Sequence, residues 1–333
     1  MNTFALAGAA TGMPGAPRCS VVIVAFNCWD LLHPCLEALM TQTMPPMRIV
    51  VVDNGNESPD DVARLAHHTN LVYVKAAGNL GFAAGNNLGF AHVGDCEWIA
   101  LLNPDTVPHP EWLARLAQAT LDYPQFAFFG SRLLRADNPA LLDGNGDCYH
   151  VSGYAWRSGI NRPATAYSTD NGEIFAPCAA AALYRRDIIL AAGGFDEDFF
   201  CYMEDVDLGF RLRLAGHRCL GVPGSTVLHA GSAVTGKQSE FYIYHGQRNL
   251  VWTFAKNMPG YLFWLFLPLH IALNMLGIAR YVRRGNFRGV MRAKWDAIRG
   301  LPKIWRKRRV LQRNRLIAPL QLLRVLNKKP YKD

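Results

Sequence analysis

Hydrophobic positions along the first hundred residues alternate between two patterns. Cys19 to Phe26 is a continuous apolar run of strand length, and the next segment, Trp29 to Met40, places Leu31, Leu32, Leu36, Leu39 and Met40 at helical spacing. Arg48 to Asp53 predicts a second buried strand ending on a carboxylate. Ser58-Pro59 then predicts a helix start, Leu71 to Lys75 a third strand and Glu97 to Leu102 a fourth. Parallel strands need crossover connections, so this alternation predicts a mainly parallel sheet flanked by helices, with ligands beyond the carboxyl ends of the strands. Those ends carry Asn27, Asp53 and Asn103-Pro-Asp-Thr106.

Beyond Asn103 the pattern loosens. Phe126 to Leu134, Ala179 to Arg185 and Val227 to His229 read as strands, residues 137–172 as Gly-, Asn- and Asp-rich loop or hairpin. Asp205 to Ala215 predicts a helix closed by Gly216, and 239–256 another. Tyr261 to Ala279 is almost wholly apolar and ends on Arg280, Arg283 and Arg284; at the lower length limit for a bilayer span, it suits a span, an interfacial helix or a buried core helix. The organisation expected is an arm over 1–17 without order, a catalytic domain over 18–258 (nucleotide-binding half 18–106, acceptor half 107–258) and an apolar helix with a basic helical tail over 259–333.

Charge changes this picture. Residues 280–333 hold 18 Lys+Arg against Asp296 and Asp333, whereas 17 Lys+Arg face 24 acids in the remainder, so an acidic body carries a basic tail that calls for an anionic partner. A basic stretch after an apolar helix suits the cytoplasmic face of an anionic membrane. The eight cysteines include no C-x-x-C pair and read as buried hydrophobes of a reducing compartment, and the Ala-, Gly- and Pro-rich start lacks the pattern of a signal peptide.

The richest chemistry lies in 193–213, where Asp196, Glu197, Asp198, Glu204, Asp205 and Asp207 stand among Phe199, Phe200 and Tyr202. Carboxylates beside apolar groups have raised pKa values, as a general base requires, although acids also favour a helix N-terminus for its dipole. Asp105 after a buried strand suits a hard divalent cation shared with a diphosphate, or a turn cap; His229 suits a second metal ligand or a satisfied histidine. The loop from Gly78 to Asn87 is not G-x-G-x-x-G, but its glycines allow backbone to approach a ligand. Gly231 to Gln238 imitates a P-loop with Gln where Ser or Thr must hold magnesium, and Asn56-Glu57-Ser58 matches a glycosylation sequon.

Five segments in order, Ser20 to Asn27, Val51 to Gly55, Asn79 to Asn87, Leu101 to Asp105 and Tyr202 to Leu208, resemble family 2 glycosyltransferases, and most closely the rhamnosyltransferase-type members that build bacterial surface polysaccharides. The resemblance implies a GT-A fold, a mixed, mainly parallel sheet flanked by helices with a C-terminal helical, membrane-associated appendage. It implies an inverting, metal-dependent transfer from a nucleotide sugar to a polyprenyl-diphosphate-linked saccharide at the cytoplasmic face of the bacterial inner membrane, by a peripheral or singly spanning protein. Carried over residue by residue, Asp205 corresponds to the catalytic base with Glu204 beside it. Asn27, Asp53, Asn79, Gly85, Asn86 and Asn103 fall to the donor, and Asp105 with His229 to Mg2+ or Mn2+. Arg248-Asn249 matches a recurrent pair without an assigned role. dTDP-rhamnose is the first expectation for the donor, UDP-hexoses or UDP-N-acetylhexosamines the next. A nucleotidyltransferase would need a Gly-rich start after the first strand and an activating lysine, which are not found here. An anionic-polymer binder using the tail would leave the acidic cluster unexplained, so no nucleic-acid partner is expected.

Overall fold

The computed structural model describes residues 3–5, 15–55, 65, 70–231 and 239–329. Its elements run β1 (Thr3–Ala5), β2 (Cys19–Ala25), α1 (Trp29–Met40), β3 (Arg48–Asp53), β4 (Leu71–Lys75), α2 (Gly81–Phe90), β5 (Trp98–Leu102), β6 (Thr106–Pro108), α3 (Trp112–Asp122), β7 (Phe128–Arg135), β8 (Leu142–Gly144), β9 (Asp147–Tyr149), β10 (Ala155–Arg157), β11 (Gly172–Ile174), β12 (Ala181–Arg185), α4 (Arg186–Ala191), α5 (Glu204–Leu214), β13 (Cys219–His229), α6 (Glu240–Asn257), α7 (Gly260–Arg283), α8 (Phe287–Arg313) and α9 (Pro319–Val325). The strands join in the order β1-β4-β3-β2-β5-β12-β7-β13-β11.

The alternating first half forms the parallel block β4-β3-β2-β5 that its pattern predicts. β2 is buried along its whole length, consistent with helices covering both faces of the sheet. β12 then enters antiparallel between β5 and β7, and β7 pairs parallel with β13, making the sheet mixed. The strand read at Val227 to His229 is the end of this longer β13, whose register shifts between Val222 and Thr226; the Pro223-Gly224 step hid its continuity. Part of the arm expected to lack order is a strand: Thr3–Ala5 pair antiparallel with β4. The Ser58-Pro59 helix start, the sequon and all but the first residue of the P-loop imitation lie outside the described residues.

The C-terminal helices are built into the core. Phe254, Met258, Leu262 and Leu322 share a buried cluster with Tyr149, Phe175 and Phe210 of the catalytic body. Trp252 Nε1 donates to Ala297 O at 2.9 Å, and Asn327 exchanges backbone hydrogen bonds with Tyr149 and Val151. Lys303 and Lys307 of α8 pair with Asp198 at 2.5 and 2.6 Å, and Lys307 also reaches Asp196. Part of the tail's positive charge is therefore answered within the chain, which charge counting along the sequence could not reveal. The eight cysteines are free, as expected, and six are buried.

Candidate active site

Carboxylates of the second half of the chain gather at one cleft of about 860 Å³, walled by residues of β8, β9, β10, α5, α6 and α7 and by Asn103 just beyond β5. Glu204 and Asp205 begin α5 and line it together with Asn103, Asp143, Asp147 and Arg157. The acidic cluster seen in sequence divides in two. Asp207 is fully buried and tied to Arg211 and Lys256 at 2.8 Å each, and Asp196 to Lys256 and Lys307. Those pairs fasten α5 to α6 and the segment before α5 to α6 and α8, leaving Glu204 and Asp205 as the carboxylates of 193–213 on the cleft.

The two are not equivalent. Burial raises the pKa of Asp205, opposed by the N–H groups of Ala179 at 3.3 Å and Val206 at 2.8 Å and by the charge of Arg157. Burial, reinforced by the neighbouring Asp205, pushes Glu204 well above the carboxylate range, and its Oε2 has no hydrogen-bond partner. A buried ionised oxygen without a donor is costly, so of the two carboxyls Glu204 is driven harder toward its protonated form, while donors and Arg157 offset the rise at Asp205. Asp147 is also raised, by burial and then by Asp205. Asp143 and Asp147, with Arg157, come from the region read only as loop or hairpin, where the signal was polar composition without period.

Asp105 and His229 adjoin the cleft through Asp143. His229 Nδ1 lies 2.7 Å from Asp143 Oδ2, and Nε2 lies 3.4 Å from Asp105 Oδ1. Burial pulls His229 down, but hydrogen bonds to Asp105 and Asp143 outweigh it and the net direction is upward. No cluster of three or more His, Cys, Asp or Glu grouped as for a metal exists among the described residues. The pair nevertheless fits a divalent cation that takes its remaining ligands from a diphosphate: one nitrogen is oriented by a carboxylate and the other faces a second carboxylate. Asn103 Oδ1, buried without a partner, adds an unspent acceptor at the same strand end.

Other residues assigned to the donor are hydrogen-bonded or packed within the scaffold. Asp53 is wholly buried and accepts from Lys75 Nζ at 2.7 Å, Tyr73 Oη at 2.8 Å and the Gly55 N–H at 3.0 Å, so its carboxylate is turned inward. Asn79 Oδ1 accepts from Asn54 and the Gly81 N–H, and buried Asn86 donates to Phe82 O. A Cβ on Gly85 would stand 2.8 Å from Val24 Cγ1, so this glycine lets helix approach sheet. Asn27, with φ 49°, lies against Gly55, where a Cβ would meet its Oδ1 at 2.4 Å. Of the residues expected to hold the donor, the cleft wall receives Asn103.

The backbone entering α5 is strained. Phe200, Tyr202 and Met203 have φ of 64°, 67° and 69°, and Phe200 (ψ −63°) centres a γ-turn of the rare positive-φ kind, closed by Cys201 N to Phe199 O at 2.7 Å. Asn249, fully buried on α6, donates from Nδ2 to the carbonyls of Phe199, Cys201 and Tyr202 at 2.9, 2.9 and 2.7 Å, and Arg248 reaches Asp198 O and Phe199 O. Gly81, at φ 76°, packs where any Cβ would lie 2.6 Å from Phe200 O. The Arg-Asn pair thus braces the turn that aims Glu204 and Asp205.

The family model for glycosyl transferase family 2 matches residues 20–191. The chain belongs to that family. Relatives of this family 2 glycosyltransferase include the N-acetylglucosaminyl-diphospho-decaprenol L-rhamnosyltransferase of Mycobacterium tuberculosis, 28% identical over 241 residues that cover 65% of this chain and 77% of the relative. Rhamnosyltransferase WbbL of Escherichia coli is 28% identical, covering 63% and 82%. Solved structures with the same fold include GalNAc-T7 with UDP, GalNAc and Mn2+ (TM-score 0.59, 15% identity, 73% of this chain and 48% of that one). A mannosyltransferase of Pyrobaculum calidifontis with GDP-Man and Mn2+ matches over 95% of this chain and 88% of its own (TM-score 0.53, 18% identity). The expected family and GT-A architecture are borne out.

Proposed function

We propose that this glycosyltransferase is inverting and moves a sugar, with rhamnose from dTDP-rhamnose the first choice, to a polyprenyl-diphosphate-linked saccharide at the cytoplasmic face of the membrane. The observation that carries the reading is the unequal carboxylate pair on the cleft: Asp205 accepts hydrogen bonds from the N–H groups of Ala179 and Val206, whereas Glu204 Oε2 has no donor. Asp205 accepts the proton of an acceptor hydroxyl as that oxygen bonds to the anomeric carbon. The bond from that carbon to the nucleotide diphosphate breaks on the opposite face, and the electron pair leaves with the diphosphate. Asp105 and His229 would hold Mg2+ or Mn2+, which offsets charge on the departing diphosphate. Arg157 lowers the repulsion among Asp143, Asp147 and Asp205, so the site tolerates its density of acids.

The rhamnosyl group is supported by both relatives named above, the lipid-linked acceptor by the first of them, and the membrane location by α7 and α8. α7 is long and apolar enough to cross a bilayer, yet only 17% of its apolar window is buried within the protein. Its Leu273, Asn274 and Arg280 wall the polar cleft while Trp264, Leu265 and Met275 face outward, so one side stays wet. α8 exposes Phe287, Met291, Trp295 and Ile298 at helical spacing among arginines. That arrangement suits helices half-sunk in an anionic interface better than a span. A panel of nucleotide sugars with and without Mg2+ or Mn2+, read by nucleotide release and by the anomeric configuration of the product, tests donor, metal and stereochemistry together. Asp205→Asn should reduce kcat by about three orders of magnitude with donor KM within about twofold; full activity in that variant refutes the assignment.

A further inference from the structure

The cleft is also lined by Arg280, Tyr281 and Arg284, which follow the apolar part of α7, and by Tyr242 and Gln247 of α6. Arg280 and Arg284 stand one helical turn apart, both exposed, and among the described residues neither pairs with a carboxylate. This contrasts with Lys256, Lys303, Lys307 and Arg211, each committed to an acid. The cleft therefore carries two kinds of charge on different elements: carboxylates from β8, β9 and α5, and two unspent guanidinium groups at the C-terminal end of α7. Side chains around Arg280 on the same helix, Leu276 and Val282, are exposed and apolar.

A ligand matching this layout carries an anion for the arginines, a hydroxylated group reaching toward the acids, and hydrocarbon continuing outward along α7. On the reading of the preceding subsection, we infer that Arg280 and Arg284 form a subsite for the pyrophosphate of the lipid-linked acceptor, seating it at the membrane side of the cleft so that the saccharide extends toward Asp205. Arginine suits the task because its planar fork meets phosphate oxygens bidentately, and two forks one turn apart can meet two adjacent phosphates. Tyr281 and Tyr242, on the same cleft wall, add hydroxyl donors. A cation held at Asp105 and His229, which adjoin the cleft through Asp143, would answer the donor's diphosphate separately, giving the two diphosphates different holders.

The test uses the full chain in detergent micelles, with Arg280→Gln/Arg284→Gln and Arg280→Lys/Arg284→Lys variants. Binding is read first, independently of turnover, with farnesyl diphosphate, farnesol and inorganic pyrophosphate as probes. Farnesyl diphosphate should bind the glutamine variant at least about tenfold more weakly than the wild type, with the lysine variant between them, while farnesol should not discriminate. Turnover is read second, comparing polyprenyl-diphosphate-linked N-acetylglucosamine with octyl N-acetylglucosaminide, which lacks the diphosphate. The wild type's preference in kcat/KM for the diphosphate acceptor should shrink about tenfold or more in the glutamine variant. Equal farnesyl diphosphate affinity in wild type and glutamine variant overturns the inference, as does a rise in donor KM in place of acceptor KM, which would give the arginines to the nucleotide. A wild type that binds farnesyl diphosphate through these arginines yet transfers no sugar to either acceptor would instead refute the proposed reaction and leave the subsite standing.

Discussion

Replacing Asn249 by alanine tests whether the brace behind the base matters. The side chain is wholly buried, and its two amide hydrogens serve three carbonyls, one bond being shared. In the alanine variant Phe199 O keeps Arg248 Nη2 at 2.9 Å, but the carbonyls of Cys201 and Tyr202 lose their donor. Each half-buried acceptor left without its donor costs about 1 kcal/mol, a total of about 2 kcal/mol. The positive φ values of Phe200, Tyr202 and Met203 store about 1–3 kcal/mol apiece. A turn released from its brace recovers that strain by relaxing, so part of the stability is regained while the direction of α5 and Asp205 is lost. The expected outcome is a Tm lower by several degrees and, at a temperature where the variant is folded, a kcat reduced about a hundredfold, the scale of an ångström of misplacement, with donor KM little changed. Asn249→Asp should be at least as damaging, because an oxygen would replace the donating nitrogen. Wild-type kcat and Tm in Asn249→Asp would refute the reasoning.

Lys294, buried on α8 and donating to Gln247 O at 2.8 Å and Asn274 Oδ1 at 2.6 Å, is pushed down to about 7 by burial. The unfolded chain keeps that proton to about 10.4, so unfolding takes up a proton between the two values and stability should rise with pH across that window. Lys294→Met should flatten the rise in denaturant melts taken between pH 6.5 and 9.5; an unchanged slope would show that Lys294 is charged when folded. Combined Trp264→Ser, Leu265→Ser and Met275→Ser substitutions remove exposed apolar surface from α7 and should reduce sedimentation with anionic vesicles severalfold while the thermal melt is kept. Undiminished vesicle binding would remove α7 from the membrane contact. Deleting 260–333 is not an equivalent test, since Leu262 and Leu322 complete a catalytic-domain core and the truncated chain would expose it.

What the sequence determined by itself was local. The uninterrupted apolar runs at Cys19, Arg48 and Leu71 are strands because a strand buried on both faces has no other composition open to it, and the structure begins and ends Arg48–Asp53, Leu71–Lys75 and Trp29–Met40 where the pattern does. The order of motifs and the chemistry at strand ends were legible for the same reason: each depends on neighbours within a few residues. Which acid faces the cleft and which an ammonium group was not legible. Asp196, Asp205 and Asp207 read alike in sequence, and only the packing of α6 and α8, 49 to 111 residues away, gives Asp196 and Asp207 to lysines. Likewise Gly85 and Gly81 read alike as loop glycines until the sheet stands behind one and the strained turn behind the other. Charge compensation and close approach are properties of distance in space, and distance in space is what the tertiary fold decides.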